Sequence, residues 1–297
     1  MDMIADRRLI LAQGCLAALA SALALSPRAA RAATEDASAW SAAAQSRMRL
    51  ISGGASPDQA GAFRAGVEIR LSPGYKTYWR SPGDSGVPPQ FSWAASQNLG
   101  SVEVRWPAPL RFADGAGSSI GYAEEVIFPL VVKAADPSRP VLLKLELDYA
   151  VCEKLCIPAQ GAASLPLHPE RTRQIARIAA FDARTPRRIA MGESQGGLGL
   201  KRASTTRDGK GRTLHLLMSA PAGATIEDVF VEGPDMWLFG KPALTQAGDG
   251  AWTAEVPLID RPATSSGAAN LLVTLIAGQA GGRFATETAL ALDFDAG

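Results

Sequence analysis

Two cysteines separated by three residues, Cys152 and Cys156, end a strand-like run in "YAVCEKLCIPAQ" (149–160). Such a pair can staple a hairpin, hold a soft metal ion, or carry two electrons as a dithiol. Closed tetrahedral zinc needs two further ligands. The two histidines of the chain, His168 and His215, are distant in sequence and sit in contexts that need no metal. Two-coordinate Cu(I) binding by the thiols stays open as an alternative. A protease-like cysteine would need a histidine base beside it, and none is evident. The spacing also departs from the C-x-x-C of thioredoxin-like proteins.

The N-terminus sets the redox environment. "MDMIADRRLILAQGCLAALASALALSPRAARAA" places Arg7 and Arg8 before an apolar stretch running from Leu9 to Leu25. Ala30, Arg31 and Ala32 then form an A-x-A cleavage site, so residues 1–32 read as a signal peptide cleaved near Ala32. The apolar stretch is short against the roughly 20 residues of a membrane span. Cys15 leaves with it, and Cys152 and Cys156 become the only cysteines of a mature chain in an oxidising compartment. No later stretch approaches a span, which predicts a soluble mature protein.

The chain has 297 residues, 47% hydrophobic and 20% charged, enough for one large core or two ordinary ones. Lys+Arg 30 against Asp+Glu 29 leaves no electrostatic footprint for nucleic acid or an anionic membrane.

The pair is carried by short strands and turns. In "FRAGVEIRLS", Val67, Ile69 and Leu71 share one face and Glu68 and Arg70 the other. "SPGDSGVPPQ" (81–90) is a Pro/Gly-rich loop. "QFSW", "VEVRWP" and "EEVIFPLVV" read as strands in which Pro107 and Pro129 suggest edges or bulges. "VLLKLELDYAV" puts Leu143, Leu145, Leu147, Tyr149 and Val151 on one face. Residues 169–184 hold Ile175, Ile178 and Ala179 at helical spacing between Pro169 and Pro186, a short linker helix with a solvated arginine face. Residues 198–297 return to strands, among them "TLHLLMSA", "IEDVFVEG", "AWTAEVPLI" and "NLLVTLIAG". The expectation is an all-β chain of two β-sandwich domains, 40–168 and 198–297, joined by a helix-containing linker, 169–197.

Strand parity puts Cys152 with Lys144, Glu146 and Asp148, away from the apolar face, where solvent or another domain's loops would meet it. "EKL" makes a tight turn, and residues facing across antiparallel strands lie about 4.5–5.5 Å apart, within disulfide range. Closing so short a loop contributes only about 2 kcal/mol. A working dithiol therefore competes with a hairpin staple in a non-enzymatic binding module for protein or Cu(I).

Four stretches in order, "SPGYKTYWRSPGDSGVPPQFSW" (72–93), "VRWPAPLRF" (104–112), "IGYAEEVIFPLVV" (120–132) and "YAVCEKLCIPAQ", resemble the N-terminal domain of the DsbD thiol:disulfide interchange family, also called the disulfide bond corrector domain. "DVFVEGPDMWLFGKP" (228–242) resembles the second β domain of its ScsB-like branch. The resemblance implies immunoglobulin-like sandwiches and a periplasmic thiol:disulfide oxidoreductase with Cys152 and Cys156 as its redox pair. It implies a membrane-embedded DsbD-like electron donor and thioredoxin-like or other periplasmic thiol proteins as partners. No cofactor is implied, because the pair itself carries the electrons. Members shield the pair with an aromatic cap, and Phe112 and Tyr122 lie in the corresponding stretch, where ordinary core packing is the alternative. The chain departs from the family in its tighter cysteine spacing and in lacking the transmembrane segment and the C-terminal thioredoxin-like domain, so its electrons are expected from a separate partner.

Overall fold

The computed structural model describes residues 36–84, 86–114, 117–209, 211–263 and 267–295. The expected signal peptide, with Cys15, lies outside the described residues. Among those described, no helix is long and apolar enough to cross a membrane. The architecture is mostly β, in two domains joined by one helix.

The first domain holds β1 (Ser41–Ala43), β2 (Ser46–Ala55), β3 (Ala62–Leu71), β4 (Lys76–Gly83), β5 (Gln90–Ser92), β6 (Leu99–Val104), β7 (Leu110–Asp114), β8 (Gly117–Ala123), β9 (Glu125–Ala134), β10 (Val141–Cys152) and β11 (Cys156–Leu167). One sheet runs β1-β2-β3-β9-β6; the other runs β11-β10-β4-β8-β7 with β5 also on β10. Period-2 apolar residues of both sheets meet in one core: Met48, Leu50, Val67 and Ile69 from the first, Leu143, Leu145, Leu147 and Val151 from the second. Pro129 lies in an inner strand, β9, rather than at an edge. Its carbonyl accepts from Arg105 N just beyond the last β6 pair, Val104–Leu130. The missing N–H thus faces the side where the ladder has already ended.

The helix, α1 (Ile175–Asp182), is shorter than its sequence signal. Residues 169–174 are drawn instead onto β2 and the chain before it: Pro169 O accepts from Ala55 N, and Asp36 accepts from Arg173 N. Ile178 packs on Ile51 and Ile127, on the outer face of the first sheet. Burying such a side chain contributes about 1.5–3 kcal/mol. The arginine face is not all solvated. Arg177 donates to Glu68 at 2.7 and 3.0 Å and also pairs with Glu125. Arg49 and Arg70 complete the shell around Glu68, at 2.7 and 2.8 Å. Burial alone would raise the Glu68 carboxyl, but hydrogen bonds and charge from Arg177 and Arg49 hold it down at about 2.

The second domain holds β12 (Arg187–Arg188), β13 (Gly199–Asp208), β14 (Gly211–Ser219), β15 (Thr225–Glu232), β16 (Leu238–Phe239), β17 (Ala243–Gly248), β18 (Ala251–Asp260), β19 (Ala268–Gln279) and β20 (Gly282–Asp293). Its sheets run β12-β20-β19-β15 and β13-β14-β18-β16, with β17 also on β18, around a separate core that includes Leu214, Val256, Val273 and Leu275.

Candidate functional site

The hairpin β10–β11 runs in unbroken register from Val141–Leu167 to Cys152–Cys156. Its last facing pair is the two cysteines, with Cα atoms 4.2 Å apart and the sulfurs joined in a disulfide. Glu153, Lys154 and Leu155 form the exposed turn, and Leu155 is 81% exposed at its tip. The two sulfurs are unequal. Cys156 is exposed, whereas Cys152 retains 2% exposure.

Parity holds for Cys152, but its surroundings differ from the open face expected. It packs with Ala150 and Tyr78 in a small cluster apart from the main core. Strand β4 lies beside β10, with Val151 opposite Thr77 and Cys152 opposite Lys76. The Thr77 hydroxyl donates to Ala150 O at 2.9 Å and pins the two strands together. Tyr78 therefore emerges on the outer face beside the pair. Its phenol O–H donates to Cys152 Sγ at 2.7 Å and stands 2.9 Å from Cys156 Sγ. Only 1% of Tyr78 is exposed.

Two close backbone approaches hold Tyr78 there. Opposite it in β8 is Gly121, where a Cβ would fall 1.9 Å from Thr77 O. The Pro/Gly-rich loop folds over the ring from the other side: a Cβ on Gly86 would lie 2.6 Å from Tyr78 Cδ1 and 2.3 Å from Pro82 Cβ. Glycine is required at both positions by contact distance. That loop also walls a groove of about 520 Å³ further along the hairpin, lined by apolar Val87, Pro88 and Pro158 and by polar Gln90, Asp148 and Gln160.

The aromatic residues picked for shielding part company. Tyr122 lies in the main core, with its ring edge-on to Phe128 at 5.4 Å and its hydroxyl donating to Pro107 O at 2.8 Å. Burial pushes its phenol pKa well above the ordinary value. Phe112 is half-buried on β7, and the Lys76 ammonium sits 5.4 Å from its ring centre. Since Lys76 faces Cys152 across the strands, Phe112 belongs to the surroundings of the pair at one remove. Tyr78 is the neighbour that sequence reasoning missed. The signal was available in "YKTYW", but only the β4–β10 register shows which of its aromatics meets the sulfurs.

Chemically, the arrangement is an accessible disulfide sulfur, a covered partner sulfur, and a neutral O–H donor that reaches both. Such a donor favours thiolate over thiol, and the thiolate is the species that attacks disulfides. Among the described residues, no cluster of histidine, cysteine and carboxylate side chains forms a metal site.

Residues 53–167 match the family described as "Thiol:disulfide interchange protein DsbD, N-terminal". No curated protein sequence matches the chain. Among solved structures, the crystal structure of the N-terminal periplasmic domain of ScsB from Proteus mirabilis has a TM-score of 0.66 and 21% identity, covering 88% of this chain and 100% of that one. At that identity the likeness speaks for the fold, and it extends across both β domains. The β domain that carries Cys152 and Cys156 belongs to the DsbD N-terminal family.

Proposed function

We propose that this protein is a periplasmic thiol–disulfide exchange protein that passes electrons through Cys152 and Cys156. The carrying observation is the asymmetric pair bridged by one phenol: Cys156 exposed, Cys152 covered, Tyr78 O–H in reach of both. In the reduced protein the Cys156 thiolate attacks a partner disulfide. A Cys156–partner bond forms and the partner's other sulfur leaves as thiolate. Cys152 then attacks Cys156 Sγ, closes the intramolecular disulfide and releases the partner's second thiolate. Two electrons and, after protonation, two protons reach the partner.

The cycle needs a reductant. Family membership favours a membrane-embedded DsbD-like donor, with thioredoxin-like or other periplasmic thiol proteins as acceptors. Leu155 and the groove along the same hairpin are docking surface for them. Immunoglobulin-like sandwiches spanning 40–168 and 198–297, a linker at 169–197 whose β12 strand joins the second domain's sheet, and export with cleavage near Ala32 complete the reading.

Equilibration of the mature protein with glutathione buffers tests it. The expected potential lies above about −300 mV, the region below which structural disulfides fall. A lower value would make the bond a staple. Cys152→Ser should accumulate mixed disulfides through Cys156 with a few periplasmic proteins, whereas Cys156→Ser should trap far less.

A further inference from the structure

Strand β4 has an interrupted ladder. Lys76, Thr77 and Tyr78 pair with Ala123, Tyr122 and Gly121 of β8, and pairing then resumes only at Gly83 with Ser119. On its other side, β4 pairs with β10 only through Lys76 and Thr77. Among the described residues, Trp79, Arg80, Ser81 and Pro82 thus have no cross-strand partner in either neighbour. Tyr78 stands at the last rung before this gap.

The gap is held by the second domain. The Arg80 guanidinium forks onto Glu232 of β15, with Nε at 3.0 Å and Nη2 at 2.6 Å, and also pairs with Glu287 of β20. Glu287 is itself buried and takes a further bond from Arg188 at 3.0 Å. The Arg80 guanidinium lies over the Trp79 ring at 4.3 Å, and Trp79 packs on Phe230 of β15 at 5.6 Å. Phe230, Ile276 and Ala285 of the second domain are part of the first domain's core cluster. A second fork joins the domains nearby: Arg111 of β7 donates to Asp228 at 2.9 and 3.0 Å, immediately before Phe112.

We propose that the second domain is a positioning element for the redox pair, acting through Glu232 and Arg80 to fix the register of β4 and so hold the Tyr78 hydroxyl on the sulfurs. Arg80 and Glu232 touch neither cysteine, and they act through Tyr78. This rests on the exchange reading above. Bidentate Arg–carboxylate pairs suit the task, because they fix orientation as well as distance. A thiolate gains more from a donor than a disulfide sulfur does, so loosening Tyr78 disfavours the reduced form.

The test uses the full mature chain and measures the equilibrium constant against glutathione. Glu232→Gln keeps the shape of the side chain but removes its charge. It is expected to move the constant toward the disulfide by up to tenfold, equivalent to about 30 mV. The same substitution in a Tyr78→Phe background should add little, because both act on one hydrogen bond. If Glu232→Gln does not fold, Arg80→Lys keeps the charge and loses the fork, and it carries the same expectation. A variant that melts lower yet keeps the wild-type constant overturns the positioning role, as does a shift that adds fully to that of Tyr78→Phe. A wild-type pair that never equilibrates with glutathione overturns the exchange reading itself, and the positioning role falls with it.

Discussion

Replacing Tyr78 by phenylalanine removes one oxygen from the site and little else. The ring stays wedged between Gly86 and Ala150, so packing around Cys152 is retained. What is lost is a donor at 2.7 Å from Cys152 Sγ and 2.9 Å from Cys156 Sγ. A hydrogen bond to a charged group is worth about 1.5–3 kcal/mol net, against about 0.5–1.5 for a neutral acceptor. The reduced form, with its thiolate, therefore loses roughly 1–1.5 kcal/mol more than the oxidised form. That difference corresponds to a thiol pKa raised by about one unit. It also lowers the reduction potential by roughly 20–30 mV at a pH where the thiolate prevails. Thiolate absorbance across a pH titration reads the first quantity, and glutathione equilibration reads the second. If Tyr78→Phe leaves both at their wild-type values, the phenol is packing and not part of the redox chemistry.

Three further outcomes follow from the geometry. After reduction, an alkylating reagent should modify Cys156 at least tenfold faster than Cys152, since one sulfur is exposed and the other covered; equal rates, read by mass spectrometry of the single Cys→Ser variants, would refute the assignment of roles. Because the folded Glu68 carboxyl is depressed from 4.5 to about 2, its stabilisation is complete above about pH 4.5 and lost as pH falls toward 2. The loss should reach about 3 kcal/mol in denaturant titrations, and Glu68→Gln should flatten that part of the profile. Gly86→Ala forces a methyl into the Tyr78 ring and should cost about 1–3 kcal/mol by overpacking; it should also change the alkylation rate of Cys156, whereas Gly209→Ala, with open space around it, should change neither.

Much of this was readable one residue at a time. The alternation in "VLLKLELDYAV" identifies β10 and its buried face because a half-buried strand repeats every two residues. Ile175 and Ile178 mark the helix for the same kind of reason, at a period of 3.6. Other features were out of reach. Glu68 alternates as a polar residue should, yet it is buried, because α1 brings Arg177 down onto it. Pro129 reads as an edge signal, but its missing donor falls where the β6 ladder stops. Polar β13 carries little apolar pattern because it is an edge strand with most of its residues exposed.

For the site itself, local sequence determined that Cys152 and Cys156 face each other. A three-residue turn between antiparallel strands sets them opposite each other where the register runs unbroken, as it does here, and the strand's parity turns Cys152 off the main core. Only the tertiary structure decided what meets the sulfurs there. Tyr78 is 74 positions away in the chain from Cys152. Its place depends on a strand register, on two glycines that admit close backbone contact, and on a carboxylate of the second domain. Register and close approach come from contacts between distant segments, and the spacing of residues along one segment does not encode them.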